Sequence, residues 1–442
     1  MRETLIKTEE FKDSPVGKIP KHWDVVPLER VCLNVIDCPH TTPVFRNDGV
    51  LVARTSNIRN GNFDVLSASF VSEQEYRQRV ARLEPQPGDV IFTREAPVGE
   101  AFIVPVGMRI CLGQRTMLLR PDPAKAISSY VLAQIYSGAV RTRIEQLVAG
   151  TTNPHLNVAD VRSFLIPVPT LQEQCRIAEI LEAMDKAIAH TSSLIAKLKQ
   201  MKAGLLHDLL TRGLDEDGEL RDAIGHPEQF KDSPLGQIPE DWDVQSIGEI
   251  SEVTKLAGYE FTNIIRYVED GEIIALRALN IKNRKLDLTD IQRISKNTSD
   301  KLPRSKIYRG EVLITYIGAY IGDVLLIKES DKYHLAPNIA KLTAKDLVIP
   351  EFLELILQSE IIRKQMGQYT VTTATPSLTM TQIRALRIPL PTCKSEQSKI
   401  VSIFNTYDTR IRTEEAYREK LKLQKQGLMH DLLTGKVRVK NA

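Results

Sequence analysis

At 442 residues, 42% hydrophobic and 26% charged, the chain has the composition of an ordinary soluble protein and room for two or three domains with their own cores. A net charge of +3 neither demands nor excludes a nucleic-acid partner, and five scattered cysteines (Cys32, Cys38, Cys111, Cys175, Cys393) argue against a disulfide framework. No apolar run reaches membrane-spanning length and MRETLIKTEEF lacks a signal-peptide core, so a cytoplasmic location is expected.

Taken in order, residues 1–23 are a Pro-rich lead-in (Pro15, Pro20, Trp23) that reads as an extended linker docking its Trp. Residues 24–170 read as a globular domain of short β-branched runs, GVLVARTSNI, GDVIFT and AFIVPV, with a helical patch over 128–147. Residues 171–212 predict one long amphipathic helix. Ile177, Met184, Leu198 and Leu205 recur on one track, and Leu181, Ile188, Ile195 and Leu209 on the other. Such a rod, about 60 Å at about 1.5 Å per residue, needs a partner.

Everything then repeats. After a linker and second lead-in (213–242), a second domain is expected over 243–392, with GEIIALRALNI, GEVLITYI, DVLLI and a helical patch over 350–368. A second long helix follows over 393–435, with Ile400, Tyr407, Leu421 and Leu428 against Phe404, Ile411 and Leu432, and 436–442 is a tail. FKDSPVGKIPKHWDV returns as FKDSPLGQIPEDWDV, IPVPT as IPLPT, and GLLHDLLT as GLMHDLLT. A repeat of about 220 residues is too long for a solenoid unit and marks a duplicated domain with its helix. The expected fold is α+β: two β-rich domains, each followed by a long helix, with the helices packed as an antiparallel coiled coil; parallel packing stays open at this stage. Thr191, Lys202, Glu414, Arg418 and Lys425 interrupt the seams, either as register devices or by turning to solvent.

Binding residues follow from comparing the halves. Both keep Arg-x-x-Asn-Ile-x-Asn (Arg54, Asn57, Ile58, Asn60; Arg277, Asn280, Ile281, Asn283). From 277 to 309 there are ten basic residues against three acids, and from 24 to 169 fourteen Arg and one Lys, which suits phosphate or guanine contact. The candidates are Arg54, Arg59, Arg94 and Arg115 in the first half and Arg277, Lys282, Arg284 and Lys285 in the second. Positions that differ between halves could encode different bases. Arg94 stands opposite Tyr316 with Tyr320 beyond, and Thr151, Thr152, Asn153 and His155 stand opposite Thr373, Thr375 and Ser377 around a retained Pro. Capping of the following helix is the structural alternative for these Thr-Pro turns.

Catalysis is not expected. The chain has no G-x-G turn, no Walker-type loop and no zinc-spaced ligand pairs; Asn153-Pro154-His155-Leu156 lacks the aromatic of an adenine methyltransferase motif, and Cys38-Pro39-His40 stands alone.

The order of domain, helix, domain, helix, with paired G-D/E-V segments, IPxP lead-ins and GLxHDLLT endings, resembles the specificity subunit of type I restriction-modification systems across essentially the whole chain. The resemblance implies two target-recognition domains, each reading one half of an asymmetric bipartite site in double-stranded DNA. It implies helices that dock two methyltransferase subunits and, in the nuclease form, two motor subunits. Adenosylmethionine, ATP and magnesium then belong to those partners, with no cofactor or metal in this chain. The competing reading is a coiled-coil scaffold presenting two ligand-binding domains without DNA.

Overall fold

A computed structural model of the chain describes residues 5–7, 10–282, 284–370 and 376–439. It divides into two compact units, the first of residues 1–193 with 415–442, the second of residues 194–414.

In the first unit the apolar run Val90–Thr93 is fully buried and forms the inner part of a four-stranded antiparallel sheet, in the order Ala101–Ile103, Val90–Thr93, Thr116–Pro121, Cys32–Asp37. Strand side chains alternate between faces. Val90 and Phe92 therefore pack with Met117, Leu119, Val131 and Ile144, while Ile91 and Leu118 pack on the other face with Ile58, Phe102 and Ile110. A three-stranded sheet lies beside it, with Val50–Ala53 parallel to Ile110–Leu112 and antiparallel to Ser69–Val71. The predicted helical patch is two helices, Ser128–Ile135 and Gly138–Val148, because Ser137 caps a new start. The lead-in is a correction to the sequence reading: Phe11–Ser14 and Gly17–Pro20 pair as a hairpin, turned at Gly17 with φ 101°, and only Trp23 behaves as expected, being 1% exposed.

The second unit repeats this plan. Its four-stranded sheet runs Ser251–Lys255, Ile339–Ala344, Val312–Thr315, Val324–Leu326, and its second sheet runs Gln292–Ile294, Ile273–Leu276, Tyr333–Leu335, Lys306–Ile307. Val312 and Ile314 enter the core with Phe352 and Ile356, and Leu313 the opposite one with Ile273 and Leu335.

The long helices span Leu171–Thr211 and Lys394–Leu433. In the first unit Ile177 and Leu181 cluster with Leu428, Leu432 and Leu433, and Lys425 Nζ lies 2.6 Å from Asp185. In the second, Leu205, Leu209 and Leu210 cluster with Ile400, Val401 and Phe404, and Lys202 pairs with Asp408. Rising numbers on one helix meet falling numbers on the other, so the packing is antiparallel in each unit. Along the seams Ile177, Leu181, Met184, Ile195, Ile400, Phe404, Ile411 and Leu421 are buried, while Ile188, Leu198, Leu205, Tyr407 and Leu428 are half-buried. Of the polar interruptions, Lys202 and Lys425 each face an aspartate on the other helix, and buried Thr191 donates its hydroxyl to the Ala187 carbonyl at 2.9 Å.

Candidate nucleic-acid interface

The site in each unit is a rim of loops at one end of the four-stranded sheet, and backbone bonds tie the rim together. In the first unit the strand ends at Thr93, whose hydroxyl donates to the Pro97 carbonyl at 2.6 Å and accepts from the Glu100 N–H at 2.9 Å, closing the loop 94–99. The Arg94 N–H donates to the Arg115 carbonyl at 2.8 Å, and the Leu156 N–H to the Arg94 carbonyl at 3.0 Å. Three loops distant in sequence thus meet. The Thr55 hydroxyl adds a fourth through the Ala96 carbonyl at 3.1 Å, and the Gln114 amide a fifth through the His40 carbonyl at 3.1 Å.

The second unit builds the same frame. Thr315 bonds the Tyr320 carbonyl and accepts from the Asp323 N–H at 3.1 Å. The Tyr316 N–H donates to the Asn338 carbonyl at 3.0 Å, and the Leu378 N–H to the Tyr316 carbonyl at 2.8 Å. Bridges Glu95–His155 and Ile317–Ser377 occupy matching places.

On this frame the expected residues separate. Arg54, Arg59 and Arg115 are exposed in the first unit. The Arg54 guanidinium lies 4.7 Å from the centre of the Phe45 ring and donates to Ser69 Oγ at 3.1 Å. Arg59 folds back on the Thr55 and Ile58 carbonyls at 2.7 and 2.6 Å. Arg115 Nε lies 2.9 Å from Glu95 Oε2. Thr151, Thr152, Asn153 and His155 are exposed on one turn, with the Thr151 hydroxyl donating to the Val148 carbonyl at 2.7 Å and His155 Nδ1 at 3.2 Å from the Asn153 carbonyl. These four do not cap the next helix. Its first turn is held by Asp160, which accepts from the Asn157 N–H at 2.9 Å, and in the second unit Thr379 and Gln382 serve each other in this way. Lys285, Tyr320 and Ser377 are exposed in the second unit, while Thr373 and Thr375, like Asn283 of the retained pattern, lie outside the described residues.

Four of the expected residues are buried or held by partners within the protein. Arg94 is only 8% exposed. It pairs with Asp37 at 3.1 Å and donates to the Leu156 carbonyl at 3.1 Å, so it fastens the rim from beneath. Asp37 in turn holds His40 Nε2 at 3.1 Å, an exposed imidazole. Tyr316, in the matching place, is 7% exposed, and burial raises its phenol pKa; Lys255 Nζ lies 5.7 Å from its ring centre. Arg284 turns inward, pairing with Asp408 at 2.9 Å and Glu354 at 2.8 Å. Arg277 is bound to Asp290 at 2.7 Å. The basic stretch is also less free than its charge count: Lys282 and Lys306 pair with Asp287 and Asp300 at 2.8 and 2.6 Å. Lys282 and Thr289 hold the Asp287 carboxyl well below the usual range. The sequence comparison passed over Glu95, Lys255 and Asn338, which stand on the rims beside residues it named.

Among the described residues no three His, Cys, Asp or Glu side chains are grouped to hold a metal, and no helix is long and apolar enough to cross a membrane.

Similarity to known proteins follows the same twofold division. The profile of the type I restriction modification DNA specificity domain matches residues 20–200 and again 239–423. A Methanocaldococcus jannaschii chain provisionally named the type I restriction enzyme MjaX specificity subunit is 25% identical over 443 residues, 98% of each chain. The EcoKI specificity subunit of Escherichia coli is 24% identical, covering 87% of this chain and 82% of that one. Among solved structures, a chain from work on the assembly and conformational transition of the type I R-M system aligns with a TM-score of 0.61 at 18% identity, covering 95% and 99%. The S subunit from M. genitalium aligns at 0.53 and 15% identity, again covering 95% and 99%. With the profile matched in both halves and relatives matched end to end, the chain belongs to the family of type I restriction-modification specificity subunits.

Proposed function

We propose that each loop rim reads one half of an asymmetric bipartite site in double-stranded DNA, while the long helices dock methyltransferase subunits and, where a nuclease form exists, motor subunits. Specificity subunits are the non-catalytic, DNA-recognising members of their systems. Methyl transfer and cleavage, with adenosylmethionine, ATP and magnesium, then belong to the partners. The observation that carries the reading is one backbone frame built twice with different side chains on it: exposed His155 against exposed Ser377, half-buried Glu95 against half-buried Ile317, and exposed Arg115 against half-buried Asn338. A retained frame positions; the differing side chains specify. For docking, Tyr417 and Leu423 stand 49% and 69% exposed on the second helix.

The test is a modified-base map of the source genome with and without this chain. Loss of one bipartite methyladenine motif is the expected result. If the map is unchanged, a salt titration of DNA binding by the purified assembly decides: affinity should fall steeply with salt as phosphate counterions are released, and a flat response would favour the protein-binding scaffold.

A further inference from the structure

We infer that Arg115 and Asn338 are equivalent base-reading positions of the two recognition domains, Arg115 selecting guanine in one half-site and Asn338 adenine in the other. The inference rests on the DNA reading above and assigns a base class to one position in each domain.

Four observations place the two residues together. Each carbonyl accepts the N–H of the first loop residue after the central strand, from Arg94 in one unit and Tyr316 in the other. Each immediately precedes a residue paired with that strand's last threonine, Thr116 with Thr93 and Ile339 with Thr315. Each is a non-glycine residue in the left-handed region, with φ 68° and 72°. That conformation is disfavoured for arginine in particular. Finally, each offers its polar end at the rim: the Arg115 side chain is 54% exposed, and Asn338 is partly exposed with no hydrogen-bond partner for its carboxamide among the described residues.

The surroundings match the chemistry. Glu95 Oε2 lies 2.9 Å from the Nε of Arg115, and among the described residues neither terminal nitrogen of the guanidinium makes a hydrogen bond. Those two donors are spaced for guanine O6 and N7 in the major groove, whereas an asparagine amide matches adenine N6 and N7. Where the second unit carries asparagine instead of arginine, the place of Glu95 is taken by Ile317, which has no charge to offer. The carboxylate is present only beside the cation that needs orienting. By contrast, the neighbouring pair Arg94 and Tyr316 is buried in both units and is unavailable to a base.

The experiment is selection of random-sequence double-stranded DNA by the full-length chain, wild type against Arg115→Asn, Asn338→Arg and Asn338→Gly. Asparagine enters the left-handed region more readily than arginine, and glycine freely, so the first and third variants keep the backbone without strain. Arg115→Asn should convert one guanine preference to adenine in one half-site and leave the other half-site untouched. Asn338→Arg should do the reverse in the other half-site, and Asn338→Gly should flatten that same position. The change in discrimination at that base pair should be about ten- to a hundredfold. Unaltered preferences in all three variants, or altered preferences in both half-sites at once, would overturn the assignment. If the wild-type chain enriches no sequence, the DNA reading itself falls, and this inference with it.

Discussion

Single buried charges show how closely the two units were copied. In the second, Glu396 accepts from the Trp242 indole N–H at 3.1 Å, the Leu214 N–H at 2.8 Å and Arg221 at 3.0 Å, its side chain 10% exposed. In the first, Glu173 holds the matching place but takes Arg438 at 2.8 Å and His22 at 3.6 Å, and the Trp23 indole N–H has no partner among the described residues. Removing one member of a buried pair strands the other. Glu396→Ala should therefore cost about 3 kcal/mol, read as a lowered urea midpoint for the second unit. A second residue carries a pH effect. His334 is fully buried, its Nδ1 bonded to the Leu335 carbonyl at 2.9 Å, and desolvation holds its pKa below 6.5 against the opposing pull of Glu260. A depressed imidazole stabilises the fold only while neutral. Its contribution is whole above the unfolded value near 6.5 and drains away as pH falls toward the folded one. Strand pairing places Cys111 at the same point in the first unit. His334→Cys should thus flatten the acid limb of the stability profile below about pH 6.5 in unfolding experiments, and an unchanged limb would refute the role of this histidine.

At the scale of elements, the two Lys–Asp contacts between the helices look alike but should respond differently. Among the described residues, Lys425 and Asp185 each have the other as their one ion-pair partner. Asp408 is shared by Lys202 and Arg284, and Arg284 reaches it from between the paired segments Ile281–Lys282 and Lys285–Leu286 of the recognition domain while also holding Glu354. Exchanging the charges of Asp185 and Lys425 should therefore restore most of what either single reversal loses. Exchanging those of Lys202 and Asp408 should not, since a lysine at 408 would face Arg284. Melting temperatures of the four single reversals and two exchanges check this. The heptad seams, the paired buried strands and the duplication were all legible in the sequence, because each is a local period or a repeated string. What escaped it depends on partners far along the chain. Nothing near Arg94 or Arg284 announces Asp37 or Asp408, so both cations read as free. The hairpin Phe11–Pro20 was read as a linker because its two prolines masked the turn at Gly17. Asn338 stayed hidden because small insertions blur the register between halves there, and only the strand pairing aligns it with Arg115.

The whole molecule sets the last prediction. Each recognition domain is seated on the helices of its own unit through the same contacts: Trp23 with Ile177 and Leu432 in the first, Trp242 with Ile400, Leu209 and Leu210 in the second. The left-handed glycines Gly435 and Gly213 make room for those seats, since an added Cβ would lie 2.5 Å from Pro20 and 3.1 Å from Trp23 in the first, and 2.6 Å from both Glu396 and Trp242 in the second. Because the seats correspond and the rims differ, specificity should move with the domain and not with the seat. Replacing residues 24–170 by a second copy of 243–392 should give a chain that selects the second domain's half-site twice. Replacing 24–169 by the corresponding segment of another family member should alter one half-site only. Both chimeras are read by selection from random DNA or by mapping methylated adenines. A single domain exchange that rewrote both half-sites would mean that the domains read DNA jointly, and the idea of two independent readers would have to be abandoned.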